Sequence, residues 1–241
     1  MERRNFLKGT GLVFLAGSIG FSPNLFAKMD MSEVDFREVK PEEAIILQDG
    51  DGKEFCIVCG MSLIKFYKTS HASDYDVNGK DETHQYCSIH CMFEEAMSEK
   101  VEIKNPKVVD AKTLKFIDSK NAFYVYGSNK PATMATVSSY AFKNEDDAKE
   151  FKNNFGGEIL SFSEISKKVE ESLADDIALI DKRQKMAALK GEKIYKASCA
   201  DIKERFSTSG RAKAYLIKHK PCGDLNPKEL SQVAHYLKRR D

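Results

Sequence analysis

The sequence predicts an α+β protein: two ββαβ units followed by a small all-helical tail. Three observations carry that expectation. Between about residues 55 and 162, β-branched and aromatic runs alternate with helix-type segments so that strand, strand, helix, strand reads twice. Beyond residue 163 the chain becomes charged and helical, with no Gly or Pro before Gly191. The first 27 residues read as a targeting segment and stand outside any fold argument.

In that segment Arg3-Arg4-Asn5-Phe6-Leu7-Lys8 has the twin-arginine pattern. The apolar run over residues 9–21 is shorter than the ~20 residues a membrane span needs. Cleavage is expected after Ala27, although Leu25 breaks the small-residue rule; the alternative is an uncleaved N-terminal anchor. The expectation is a periplasmic protein, membrane-anchored if the signal is retained. Residues 1–27 hold three bases (Arg3, Arg4, Lys8) and one acid (Glu2), so their loss moves the formal charge from +1 to −1. That balance gives no electrostatic footprint for nucleic acid.

Residues 28–54 are a polar lead-in with one short apolar piece, Ala44-Ile45-Ile46-Leu47. A strand is expected over residues 66–75, and Asn78-Gly79 turns it into a second over 83–86. Residues 87–100, rich in Glu, Met and Ala and opening near Ser88, read as a helix. Val108-Val109, then residues 114–117, 122–127 and 136–142, read as strands. Asn144 is placed to cap a helix whose first turn holds Glu145, Asp146 and Asp147; Gly156-Gly157 stops it, and residues 158–162 return as a strand. A helical linker over residues 166–190 leads to a tail domain, residues 191–241. Its last helix opens at Asn226-Pro227 with Leu230, Val233, Ala234 and Leu237 on one face.

All six cysteines follow residue 27. Phe55-Cys56-Ile57-Val58-Cys59-Gly60-Met61 places two thiols and a thioether within six consecutive residues, and Gly60 permits a tight turn after the second thiol. Soft thiolate and thioether donors together select copper(I) over hard cations. The same spacing also suits a thioredoxin-like redox pair, a structural disulfide or a zinc knuckle. The redox reading lacks the expected tryptophan and βαβ setting. Cys87 and Cys91 are either second-site donors or a packed or disulfide-bonded pair; on a helix His84, Cys87 and Cys91 would share one stripe, whereas the strand expected over 83–86 takes His84 out of it. His71 and His90 read as exposed. Met134, in a polar turn, has either a satellite pocket or a metal.

These residues resemble a known family. Cys56-x-x-Cys59-Gly60-Met61, Tyr86-Cys87-Ser88, the run from Ala122 to Ser128, Met134 followed by Tyr140-Ala141-Phe142, and Phe155-Gly156-Gly157 are similar to the ordered motifs of NosL, the nitrous oxide reductase accessory protein. The resemblance covers about residues 55–165. It implies a pair of ββαβ units and a periplasmic copper(I) chaperone, not an enzyme, whose partners are the reductase and its membrane-bound maturation complex. It carries metal-ligand roles onto Cys56, Cys59, Met61 and Met134. Here Met134 sits in Thr133-Met134-Ala135 where the family has Pro-Met-Gly, and no lipid-bearing Cys stands near the cleavage site. The alternative is a periplasmic thiol-disulfide oxidoreductase acting through Cys56 and Cys59.

The tail bears a second resemblance. Residues 191–199, ending in Cys199, resemble the approach to the haem site of a small c-type cytochrome. Ile202 and Lys203 stand where the second Cys and the His belong, and no Met follows Met186. No haem is therefore expected, and a Cys199–Cys222 disulfide across the tail is the hypothesis.

Overall fold

The computed structural model describes residues 35–240 apart from Asn78. The twin-arginine segment and its cleavage site lie outside them. The first sheet is built from β1 (His71–Val77), β2 (Lys80–Tyr86), β3 (Lys104–Val109) and β4 (Phe116–Asp118), in the order β2-β1-β3-β4. Helix α1 (Ile89–Glu99) connects β2 to β3. The second sheet holds β5 (Phe123–Tyr126), β6 (Ser139–Phe142) and β7 (Glu158–Leu160), in the order β6-β5-β7, with α2 (Glu145–Phe155) between β6 and β7. Every pairing within the sheets is antiparallel, and each unit places its first strand between its second and third. The expected ββαβ pair is therefore present, with β4 added to the edge of the first unit.

Local chemistry explains most boundaries. Val77 pairs with Lys80, so β1 and β2 form the expected hairpin; Asn78 of the expected turn lies outside the described residues. Ser88 caps α1, its hydroxyl accepting from the Cys91 N–H at 3.4 Å, and Lys100 closes the helix at φ 56°. Asn144 stands at the start of α2 but makes no cap; its amide donates to the Asp147 carboxylate at 3.2 Å instead. At Gly157 (φ 99°) a Cβ would lie 2.7 Å from the Tyr126 carbonyl, so only glycine lets the chain pass β5 there.

Several strands are shorter or later than expected, β7 among them, which ends at Leu160 because Phe162 already belongs to the next helix. Tyr67–Thr69 forms a 3-10 turn, with the Tyr67 hydroxyl donating to the Leu114 carbonyl, so β1 begins at His71. Leu114 adopts φ 61°, which breaks a strand, and β4 starts at Phe116. In the stretch over 136–142 only Ser139–Phe142 pairs.

Helix α3 (Phe162–Ser198) is 37 residues long and opens with a reciprocal Ser161–Glu164 capping box. It continues through Gly191, where a Cβ would collide with the Gln232 carbonyl of α5 (Pro227–Arg239). The close helix contact offsets the ~1 kcal/mol helix cost of glycine. Helix α4 (Ser209–His219) lies between them in sequence, and a Cys199–Cys222 disulfide ties the end of α3 to the α4–α5 connection. Val233, Ala234 and Leu237 of α5 are buried with Ile202, Ala212, Leu216 and Cys222 in the tail core. A separate and larger core joins both sheets to α1 and the first half of α3, through Tyr86, Met92, Tyr124, Ala141, Ile165, Val169 and Leu173. The four remaining cysteines lie in that larger core.

Candidate metal centre

The first two thiols sit in a closed loop. Phe55 and Ser62 bridge its neck, Cys56 N–H donates to the Met61 carbonyl at 2.8 Å, and Gly60 N–H donates to the Cys56 carbonyl at 2.9 Å. Gly60 has φ 72°, a conformation a larger residue adopts only under strain. Gln85, wholly buried, fixes this loop against β2: its carbonyl accepts from Ile57 N–H, its side chain from Leu47 N–H. The other two thiols come from the end of that hairpin. Cys87 follows β2, and Cys91 lies in the first turn of α1.

These elements converge on one point. The sulfurs of Cys56, Cys59, Cys87 and Cys91 all lie within 4.8 Å of one another, with Cys59–Cys87 at 3.4 Å and Cys87–Cys91 at 3.8 Å. All four are buried and none is in a disulfide. A tetrahedron of metal–thiolate bonds of about 2.3 Å has sulfur–sulfur edges of about 3.8 Å. The spacing already approximates a metal site. Of the alternatives that spacing left open for Cys87 and Cys91, the structure shows neither a separate second site nor a disulfide; their thiols complete one four-sulfur group with Cys56 and Cys59.

Charge in the group is unevenly held. Burial would raise the Cys56 thiol, but S–H donation from Cys59, Cys87 and Cys91 outweighs it and holds Cys56 well below an ordinary thiol. Burial raises Cys87, and the hydrogen bond to Cys56 raises Cys91, because each proton serves that thiolate. The shifts favour the anion at Cys56 and the protonated thiol at Cys87 and Cys91, so a metal that binds the latter two as thiolates has to displace their protons.

Around the group, Met61 and Met134 are half-buried and pack against the same core. Met134 occupies the turn before β6 with φ 55°. His84 lies on β2, not on a helical stripe with the cysteines; it stacks on Tyr75 and bonds Glu95 at 3.1 Å, which raises its affinity for a proton. The histidines expected to be exposed are buried. His71 bonds the Thr69 carbonyl at 3.0 Å and the Tyr124 hydroxyl at 3.3 Å, and burial pushes it down to about 3. His90 faces Asp176 of α3 at 3.3 Å, and burial holds it below its ordinary value against the attraction of that carboxylate.

One contributor had no signal in the sequence. Lys213 of α4 is 7% exposed, and its ammonium donates to the Gly60 carbonyl at 2.6 Å. Burial lowers its affinity for a proton, while Cys59, Cys56 and Cys87 pull the other way. A cavity of about 560 Å³ opens beside Cys56, between the 47–53 loop, β2 and the start of α4. Asp49, Asp51, Asp81 and Glu82 line it, against Lys53 and Arg211.

The family model for NosL matches residues 48–170, just over half of the chain. The chain belongs to the NosL family. Both parts of the four-thiol group fall inside the match, and the tail falls outside it. Among solved structures, the crystal structure of the copper chaperone NosL from Shewanella denitrificans is similar at 21% identity. The alignment covers 48% of this chain and 92% of that one, with a TM-score of 0.38. No curated protein matches the chain.

Proposed function

We propose that this member of the NosL family is a copper(I) chaperone, not an enzyme, whose cargo is held by the group formed by Cys56, Cys59, Cys87 and Cys91. The convergence of these four free, buried sulfurs within 4.8 Å carries the reading. Thiolates suit a soft monovalent ion, and a donor set richer than the ion needs suits exchange of one ligand at a time. Met61 and Met134, on the same core, are read as auxiliary thioether donors that take over as a thiolate departs. The cavity beside Cys56 is the path by which an acceptor's donors enter.

The recipient in this reading is nitrous oxide reductase during assembly of its copper-sulfide centre, through the membrane-bound maturation complex. The twin-arginine pattern supports a periplasmic place of work. Among the described residues no helix is long and apolar enough to cross a membrane. The tail is read as haem-less, since the Cys199 sulfur is committed to Cys222 and Ile202 and Lys203 replace the other attachment residues.

Titration of the reduced protein with Cu(I) should reveal one tight equivalent, lost in the Cys56→Ser, Cys59→Ser double variant. Tighter retention of Zn(II) than of Cu(I) in competition would point to a structural zinc site. The 3.4 Å Cys59–Cys87 approach also favours a thiol-disulfide oxidoreductase as second reading. Burial of all four thiols weighs against it, because redox-active cysteines need access. Reduction of insulin disulfides by the metal-free protein would reverse that preference.

A further inference from the structure

The tail meets the sulfur loop through its smallest residues. A Cβ on Gly60 would lie 2.7 Å from that of Ser209, and one on Gly52 would lie 3.0 Å from the Gly210 carbonyl. Gly210 itself packs against Phe55, its notional Cβ 3.1 Å from the Phe55 Cβ. One turn further along α4, Lys213 passes into this contact and reaches the Gly60 carbonyl at 2.6 Å, its ammonium 5.2 Å from the centre of the Phe55 ring. Gly60 lies between Cys59 and Met61, so the ammonium stands on the backbone of the metal loop itself. No carboxylate pairs with Lys213 among the described residues. A buried lysine without an anion is costly. A group of thiolates around a monovalent ion has the opposite problem, a surplus of buried negative charge. Each is the counterpart the other lacks.

We propose that Lys213, supplied by the tail, is a positioning residue of the metal site: it holds the Cys56–Met61 loop through the Gly60 carbonyl and offsets the net negative charge of the loaded thiolates. The inference rests on the chaperone reading above. It gives the tail, residues outside the family match, a role in retaining the ion. Ser209 and Gly210 fix the distance, the Cys199–Cys222 disulfide and α5 fix α4, and Lys213 delivers the charge.

The test compares full-length Lys213→Gln, which keeps a hydrogen-bond donor but loses the charge, with Lys213→Arg, which keeps the charge. Each is loaded with one equivalent of Cu(I) and challenged with a Cu(I) chelator. Lys213→Gln should release the ion about tenfold faster or more, as when one member of a buried charge pair is removed, and Lys213→Arg should stay close to the wild type. Equal release from all three proteins, or equally accelerated release from both variants, overturns the charge role. An independent readout on the wild type guards against a folding defect in the variants. Acetylation of Lys213, followed by mass spectrometry, should be slower in the Cu(I)-loaded protein than in the metal-free one; equal rates overturn the proposal. Failure of the wild type to take up Cu(I) at all would remove the chaperone reading, whereas normal uptake with an inert Lys213→Gln would remove only this role.

Discussion

The two ββαβ units share a topology and differ in what they place at one position. In the first, β2 ends at Tyr86, Cys87 follows, Ser88 caps, and Cys91 is the third residue of α1. In the second, β6 ends at Phe142, Lys143 follows, Asn144 holds the cap position, and Asp147 is the third residue of α2. Cys87 and Cys91 thus correspond to Lys143 and Asp147. The first pair is buried beneath the 55–62 loop; Lys143 is exposed and Asp147 half-exposed. The helix N-terminus that favours an anion is common to both. What makes one of them a sulfur site is cover: the loop bearing Cys56 and Cys59, with α4 behind it, closes over the first unit alone. A scaffold repeated twice carries a buried four-thiol group only where further chain shields it from water.

Cutting into the sulfur group should have the largest effect. Cys87→Ser with Cys91→Ser should weaken Cu(I) binding by about a hundredfold or more, since metal–thiolate bonds carry the affinity. Isothermal or chelator competition measures it, and retention of wild-type affinity would return Cys87 and Cys91 to a packing role. Loss of the tail disulfide comes next. Cys199→Ala with Cys222→Ala, closing a 23-residue separation, should destabilise the tail by about 3 kcal/mol, read by thermal unfolding.

Acid should act on both cores. Burial holds His71 near 3 in the large core and His235 near 4 in the tail, both neutral in the fold. The unfolded chain protonates them near their ordinary value of about 6.5, so it binds more protons below that point. Stability is therefore full above about pH 6.5 and declines as pH falls toward 3 to 4, a trend that denaturant midpoints will follow. Midpoints unchanged from pH 7 to pH 4 would contradict the buried neutral histidines. Metal uptake should show the related dependence: because Cys87 and Cys91 hold their protons, Cu(I) affinity should rise with pH and binding should release protons to a weakly buffered solution.

The smallest effect belongs to the second unit. Lys143→Ala and Asp147→Asn, at the positions matching the thiols, should leave Cu(I) binding unaltered and change stability by no more than about 0.5 kcal/mol.

Much of this architecture was legible because it is local. Alternating strands, the β1–β2 hairpin, the Ser88 cap and the glycine stop after Phe155 are each encoded within a few residues. The first thiol pair was legible for the same reason. The four-sulfur closure was not, since Cys59 and Cys87 are 28 residues apart and only the hairpin between them brings them to 3.4 Å. Burial of His71 and His90 depends on partners in β5 and α3, Tyr124 and Asp176, far away in sequence. Gly191 looks like a break and is a helix crossing; Lys213 looks like one of many surface lysines and reaches a carbonyl 153 residues away.

X-ray absorption at the copper edge, on reduced full-length protein carrying one equivalent of Cu(I), tests the central claim most directly. The account predicts a first shell of sulfur alone, at about 2.3 Å, lost when Cys56, Cys59, Cys87 and Cys91 are all changed to serine. Nitrogen or oxygen neighbours in the wild type, or an identical shell in the variant with all four cysteines changed, would contradict it.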